Sequence, residues 1–303
     1  MWPAGVRYRE YAPCEALRGW VRALFSFSEP DAAPPTRRIL LDFRFGRGER
    51  FCAPTFADVH PCIVLYFGKH YCPDGVWRQC SIPPRGDVIG PMTVPGPPSV
   101  PARAESLGAY FCPGAVIPGS TEIQNRVVAI EDLWGAQARY LAEQLVSLPD
   151  EAARLDRLES ALVQRMETRR SIQSSIDILG VAQWIVRSRG QLTVEWLARQ
   201  AGLSRRHFTR LFRENTGVSP KTFCQLARFR SALPYVRSSE NVGWAGIALD
   251  CGYTDQSHMI AEFRRFAGLT PEALAQGRWF HPFIEAANRK NRLAEASQRR
   301  PAN

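Results

Sequence analysis

The spacing of apolar positions changes once along the chain, near Glu131. Before it, short runs alternate with a period of two and are interrupted by proline. Candidate strands are Val21–Phe27, Ile39–Phe45, Cys62–Phe67, Val88–Ile89 and Leu107–Phe111. Phe25 and Phe27 alternate with Leu24, Ser26 and Ser28, and Leu41, Phe43 and Phe45 alternate with Asp42 and Arg44. A period of two puts successive side chains on opposite faces, which predicts one buried and one solvated face. Seventeen of the 23 prolines precede residue 119. Proline interrupts helices and central strands, so residues 1–130 read as a small antiparallel barrel or sandwich of short strands.

From Glu131 the period is helical. Leu133, Trp134, Ala138, Leu141, Leu145 and Leu148 recur at three- and four-residue steps. After Pro149-Asp150, Leu155, Leu158, Leu162 and Met166 do the same. Two amphipathic helices over residues 131–168 follow. Their apolar stripe could pack on the strands or form a dimer seam, and the stripe alone does not choose between them. The polar run Thr168–Ser175 lacks periodicity and places a linker at residues 169–174.

Residues 175–280 carry a repeated plan. Thr193 can cap a helix that buries Val194, Leu197, Ala198 and Ala201, and Gly202 can end it by taking the left-handed conformation a tight turn needs. Ser204 then caps a second helix with Phe208, Leu211 and Phe212 inward, closed by Gly217. Helix, glycine turn, helix is the helix-turn-helix plan. Fifty residues on, Gly252-Tyr253-Thr254 stands where Gly202-Leu203-Ser204 stood. A helix precedes it (Trp244–Asp250). Another follows it, with Met259, Phe263 and Phe266 inward and Gly268-Leu269-Thr270-Pro271 closing it as Gly217-Val218-Ser219-Pro220 closed the first. Lys221–Val236 reads as one linking helix. An internal repeat is a stronger signal than a single hairpin.

Charge divides the 303 residues in the same way. Residues 1–170 hold 20 Lys and Arg against 19 Asp and Glu, while 171–280 hold 14 against 8 and 281–303 hold 5 against 2. The excess that gives a net +10 therefore sits with the repeat and a basic tail, where a polyanion would be met. The start of the chain shows no apolar leader, and the longest notable apolar run, Cys62–Phe67, is strand-sized, so a cytoplasmic protein without a membrane span is expected. The eight cysteines are then read as reduced thiols. No Gly-x-Ser-x-Gly elbow and no glycine-rich phosphate loop occurs, so hydrolase or nucleotide-binding chemistry has no support, and neither enzyme activity nor a cofactor is expected.

The run Ile247-Ala248-Leu249-Asp250-Cys251-Gly252-Tyr253-Thr254-Asp255-Gln256-Ser257-His258 and its continuation to Pro271 resembles the signature of the AraC/XylS family of bacterial transcription regulators. Leu197-Ala198, Gly202-Leu203-Ser204-Arg205-Arg206, Leu211-Phe212 and Gly217-Val218-Ser219-Pro220 resemble that family's first hairpin. Val88–Thr93, Phe111–Ala115 and Asp132–Gly135 resemble a domain of unknown function fused to one branch of the family. The resemblance implies an α+β protein: an N-terminal cupin-like barrel or sandwich with two helices, and a C-terminal all-α double helix-turn-helix domain. It also implies transcription activation, with promoter DNA, RNA polymerase and a second copy of the chain as partners. A helix-turn-helix of this family also occurs fused to a DNA-repair alkyltransferase, but that chemistry needs closely spaced cysteines, which the N-terminal half lacks.

In a double-stranded DNA complex the first turns of each reading helix would meet base edges. Those positions are Arg205, Arg206, His207, Thr209 and Arg210 in the first unit, and Gln256, Ser257, His258 and Ile260 in the second. Arg can grip guanine and Gln can grip adenine through paired hydrogen bonds. The competing reading is that the cations touch only phosphate, which fixes register without reading sequence. Asp255 reads as a cap, His258 as structural or on phosphate, and Ala261 is too small to offer more than contact with a thymine methyl. The second unit is therefore expected to contribute less base-specific energy.

The N-terminal half could sense an aromatic or apolar small-molecule effector. Phe25, Phe43, Phe45, His60, Tyr66, Trp77 and Tyr110 are the candidate lining, against the alternative that these aromatics are plain core. A metal or thiol sensor is the other possibility, because His60-Pro61-Cys62 and His70-Tyr71-Cys72 form two His-x-Cys pairs ten residues apart.

Overall fold

The computed structural model describes residues 7–28, 56–71, 77–78, 85–95, 103–117, 123–170, 177–237 and 243–276. The N-terminal part is one antiparallel sheet. Its strands are β1 (Arg7–Tyr11), β2 (Val21–Ser28), β3 (Cys62–Tyr71), β4 (Trp77–Arg78), β5 (Arg85–Ile89), β6 (Arg103–Phe111) and β7 (Val127–Ala129). They lie in the order β1-β2-β6-β3-β5-β7, with β4 paired to β3. Among the described residues the outer strands β1 and β7 do not meet, so the sheet is open and does not close into the expected barrel. The candidate strand Ile39–Phe45 lies outside the described residues. Strands β1 and β7 have no clear alternation in sequence; pairing with β2 and β5 is what makes them strands.

Three helices cover one face: α1 (Ile130–Trp134), α2 (Ala136–Ser147) and α3 (Glu151–Arg170). The expected first helix is thus two, broken at Gly135. Leu24, Ile63, Leu65, Val88, Leu107 and Phe111 from the sheet share a core with Ala138, Leu141, Leu145, Leu155, Leu158 and Leu162. The helical stripe is consumed by the sheet, leaving Tyr140 and Val146 of α2 exposed. The other sheet face is not solvated as the alternation suggested. Phe25, Cys62, Val64, Tyr66 and Tyr110 are buried there as a second cluster. A register shift between Val21 and Ala23 explains why Val21 and Leu24 share one face while Phe25 turns to the other.

The C-terminal part is all helix: α4 (Ile178–Arg187), α5 (Val194–Gln200), α6 (Arg205–Thr216), α7 (Pro220–Arg237), α8 (Trp244–Asp250), α9 (Gln256–Ala267) and α10 (Pro271–Gln276). Its core joins Leu197, Phe208, Phe212, Phe223, Leu226, Phe229, Met259, Phe263 and Phe266. Helix α7 runs through the middle and contributes to both units, as the linking helix was expected to do. Phe56, Ala57 and Val59, expected with the strands, are buried in this helical core instead. No helix among the described residues is long and apolar enough to cross a membrane.

Candidate nucleic-acid interface

In each unit a glycine turn precedes a reading helix that a side chain caps, and in the first unit the preceding helix is capped as well. Thr193 Oγ1 accepts the Trp196 amide at 3.2 Å, and Ser204 Oγ accepts the His207 amide at 3.3 Å. In the second unit Asp255 Oδ1 accepts the His258 amide at 2.8 Å. An N-cap of this kind satisfies an amide that the helix leaves open, worth about 1 kcal/mol. The turns between the paired helices carry Gly202 at φ +67° and Gly252 at φ +79°, matching positions in the repeat. The caps fix where each reading helix begins, and hence which side chains stand at its outer end.

At the start of α6, Arg205, Arg206, His207 and Arg210 are exposed and Thr209 is half-buried. The three arginines differ. Arg205 Nη1 lies 2.9 Å from Glu195 Oε1 across the turn, and Arg210 Nη1 lies 3.5 Å from Glu214 Oε1 one turn along. Among the described residues Arg206 alone of the three forms no ion pair. Such exposed pairs are worth about 0–1 kcal/mol, so a phosphate could displace either carboxylate. Arg206 would need no exchange of partner to meet a nucleic acid.

Helix α9 presents a different surface. Gln256 and Ser257 are exposed, and His258 and Ile260 are half-buried. His258 is held within the unit. The Thr254 amide lies 3.4 Å from its Nδ1 and Glu262 Oε1 lies 3.4 Å from its Nε2, while the ring stands edge-on to Tyr253 at 5.5 Å. That geometry suits the structural role and leaves its ring little freedom to reach a phosphate. Glu262 is buried, which raises its carboxyl pKa, while the Arg228 and His258 charges oppose the rise. Arg228 lies over the Tyr253 ring at 5.3 Å and donates to the Gly252 carbonyl at 3.0 Å, fastening the turn to α7. Sequence reasoning missed Glu262 and Arg228. The four-residue step from His258 to Glu262 was the available signal.

On the sheet, Phe25, Tyr66 and Tyr110 come together on the face away from α1–α3, with the Phe25 and Tyr110 rings 4.7 Å apart. Gly108 permits this, since a Cβ there would stand 2.4 Å from the Phe25 ring. His60 lies just before β3, half-buried, and its Nδ1 is 2.8 Å from Asp58 Oδ1. Burial, then the Arg22 charge, pushes its imidazole down to about 3, so it is neutral at ordinary pH. Burial and the Asp87 charge push the Cys62 thiol up to about 12, away from the thiolate a metal would take. Among the described residues no group of three or more potential ligands converges on a metal position. Phe43, Phe45 and Cys72 lie outside the described residues; the backbones of His70 and Trp77 fall in β3 and β4.

A helix-turn-helix domain family matches residues 197–277. Over 78 residues the chain is 35% identical to an uncharacterized HTH-type transcriptional regulator of Haemophilus influenzae, covering 26% of each protein. Over 87 residues it is 34% identical to the HTH-type transcriptional activator RhaS of Escherichia coli O139:H28, covering 28% of this chain and 31% of RhaS. The chain thus spans under a third of the curated relatives it matches. Among solved structures, the C-terminal domain of AraT, a response regulator from Geobacillus stearothermophilus, is 22% identical with a TM-score of 0.32, covering 36% of this chain and 93% of that one. The matched region runs from within α5 through α10 and takes in both reading helices, α6 and α9, and residues 197–277 of this chain are therefore a helix-turn-helix domain similar to those of these regulators.

Proposed function

We propose that the protein is a sequence-specific DNA-binding transcription regulator, an activator, whose N-terminal sheet domain binds a small apolar or aromatic effector. The unpaired, exposed Arg206 at the start of a capped reading helix, within a duplicated helix-turn-helix, carries the DNA-binding reading. Arg206 and Arg210 read bases, Arg205 and His207 hold phosphate, and Thr209 supports them. Gln256 and Ser257 read a second groove segment about 34 Å along the duplex, with Ile260 in apolar contact. Residues 1–130 form the sensing unit, 131–168 its supporting helices and 175–280 the DNA-binding unit. RNA polymerase and a second copy of the chain are its partners in the cytoplasm, and no catalytic reaction is assigned.

The test uses the full chain and a duplex enriched by it from a random-sequence pool. Binding should fall steeply as salt rises, because phosphate contacts release counterions. Arg206→Ala should lose discrimination at one or two base pairs; equal weakening on every sequence would make it a phosphate contact. For the effector, Phe25, Tyr66 and Tyr110 supply a shared apolar wall. Native mass spectrometry of the purified chain should show a retained small molecule that Tyr66→Ala releases. A stoichiometric metal ion would overturn the organic-effector reading.

A further inference from the structure

The sheet and the second helix-turn-helix unit are joined by five residues. The Phe56 ring meets Phe229 of α7 edge-on at 6.4 Å, and Phe229 meets Phe263 and Phe266 of α9 at 4.9 and 5.5 Å. The Ala57 amide donates to the Phe266 carbonyl at 2.9 Å. That carbonyl lies in the last turn of α9, where the helix supplies no amide of its own. Asp58 Oδ2 pairs with Arg230 of α7, while Oδ1 accepts the His60 amide at 3.0 Å. The backbone of Asp58 exchanges two hydrogen bonds with Met92, at 2.9 and 2.8 Å. Two residues after His60 the chain enters β3, an interior strand of the sheet.

We infer that Phe56–His60 is a pin that fixes the second reading helix to the N-terminal sheet, so that groove reading by α9 depends on the state of the sheet domain. The inference rests on the DNA-binding reading above. It concerns α9 more than α6. The first unit meets the N-terminal part by packing at the end of α6: Gln124 and Pro91 stand 3.9 and 4.0 Å from the position of a Cβ at Gly217, and Thr216 stands 3.7 Å from one at Gly114. The pin lies at the far end of α9 from Gln256 and Ser257, which stay exposed, so it orients the helix without covering its reading surface. A shift of β3 on effector binding would reach α9 through these hydrogen bonds and this ion pair, whereas the end of α6 meets the N-terminal part by packing. Coupling of this kind requires two arrangements whose balance the effector biases.

The experiment compares full-length Phe56→Ala, Asp58→Asn, Arg230→Met and the double variant Asp58→Asn/Arg230→Met with the natural chain. Hydrogen exchange is followed without DNA, and a footprint is taken on the enriched duplex. Phe56→Ala and Asp58→Asn should speed exchange in Gln256–Ala267 by about tenfold while Arg205–Thr216 keeps its rate. The footprint should lose its second half-site first. The double variant should recover part of the loss, because no buried charge is left alone. Equal loss of protection in both reading helices, or no change in either, overturns the pin. So does tighter DNA binding with α9 unchanged, which would make the contact a brake. Exchange is read without DNA, so a chain that leaves no footprint on any duplex would refute the DNA-binding reading while the pin is still decided.

Discussion

The two helix-turn-helix units share a plan and differ in charge. Helix α6 begins Arg205-Arg206-His207 and continues to Arg210, whereas α9 begins Gln256-Ser257-His258 and has no Lys or Arg before Arg264 in its last turn. The first unit has a cationic, solvent-facing start. The second has a neutral start, a histidine turned inward on a buried carboxylate, and a C-terminal end fastened to the sheet. One backbone solution thus serves two tasks. On the proposed reading, phosphate attraction and guanine reading fall to the first unit, and placement and response to the N-terminal domain fall to the second.

The comparison can be broken most forcefully in the cores. Phe212→Ala and Phe263→Ala remove wholly buried rings from equivalent helices, and each should cost about 3–5 kcal/mol in a denaturant titration. If the units were independent, only the variant's own unit would loosen; the shared helix α7 predicts one cooperative transition for both. Next in size is the contrast in reading. Arg206→Ala should cost about 1–3 kcal/mol on the preferred duplex, and Gln256→Ala less, measured by fluorescence anisotropy. A larger loss for Gln256→Ala would reverse the ranking of the units.

Acid tests the side that holds the pin. The His60 imidazole titrates near 3 when folded and near its ordinary 6.5 when unfolded. Between those values the unfolded chain binds the extra proton, so stability is intact above about 6.5 and falls as pH drops. The loss should reach about 2 kcal/mol by pH 5, and His60→Gln should remove this part of the pH dependence of the unfolding midpoint. Smaller still, Ser204→Ala and Asp255→Ala should each cost about 1 kcal/mol by removing one cap. The least effect belongs to Glu195→Ala. Freeing an exposed arginine should change stability by about 0.5 kcal/mol or less and steepen the salt dependence of binding slightly, since Arg205 would be free for phosphate.

Much of the C-terminal domain could be read directly. Its caps, turns and inward phenylalanines are local in sequence, and the repeat displays them twice, so Thr193, Ser204, Asp255 and the glycine turns were visible as residues before they were visible as geometry. The sheet was harder. Its strands were found where apolar runs are dense, and Arg7–Tyr11 and Val127–Ala129 were not, because an edge strand is defined by its neighbour more than by its own pattern. The alternation in β2 suggested a solvated face that burial of Phe25, Tyr66 and Tyr110 contradicts. The dimer seam offered by the stripe on α2 and α3 is taken up by the sheet, an outcome that periodicity could not distinguish from self-association.

What the chain's order of residues determined alone is therefore the set of local elements in the second half: which positions cap, which turn, which face inward, and where positive charge gathers. Those depend on interactions spanning three or four residues. Tertiary structure alone decided which arginines are engaged, that Glu262 is buried beneath His258, and that Phe56, Asp58 and Arg230, as many as 174 positions apart, meet at one contact. Partners that far apart leave no periodic trace along the chain, and only folding brings their charges and rings within reach of one another.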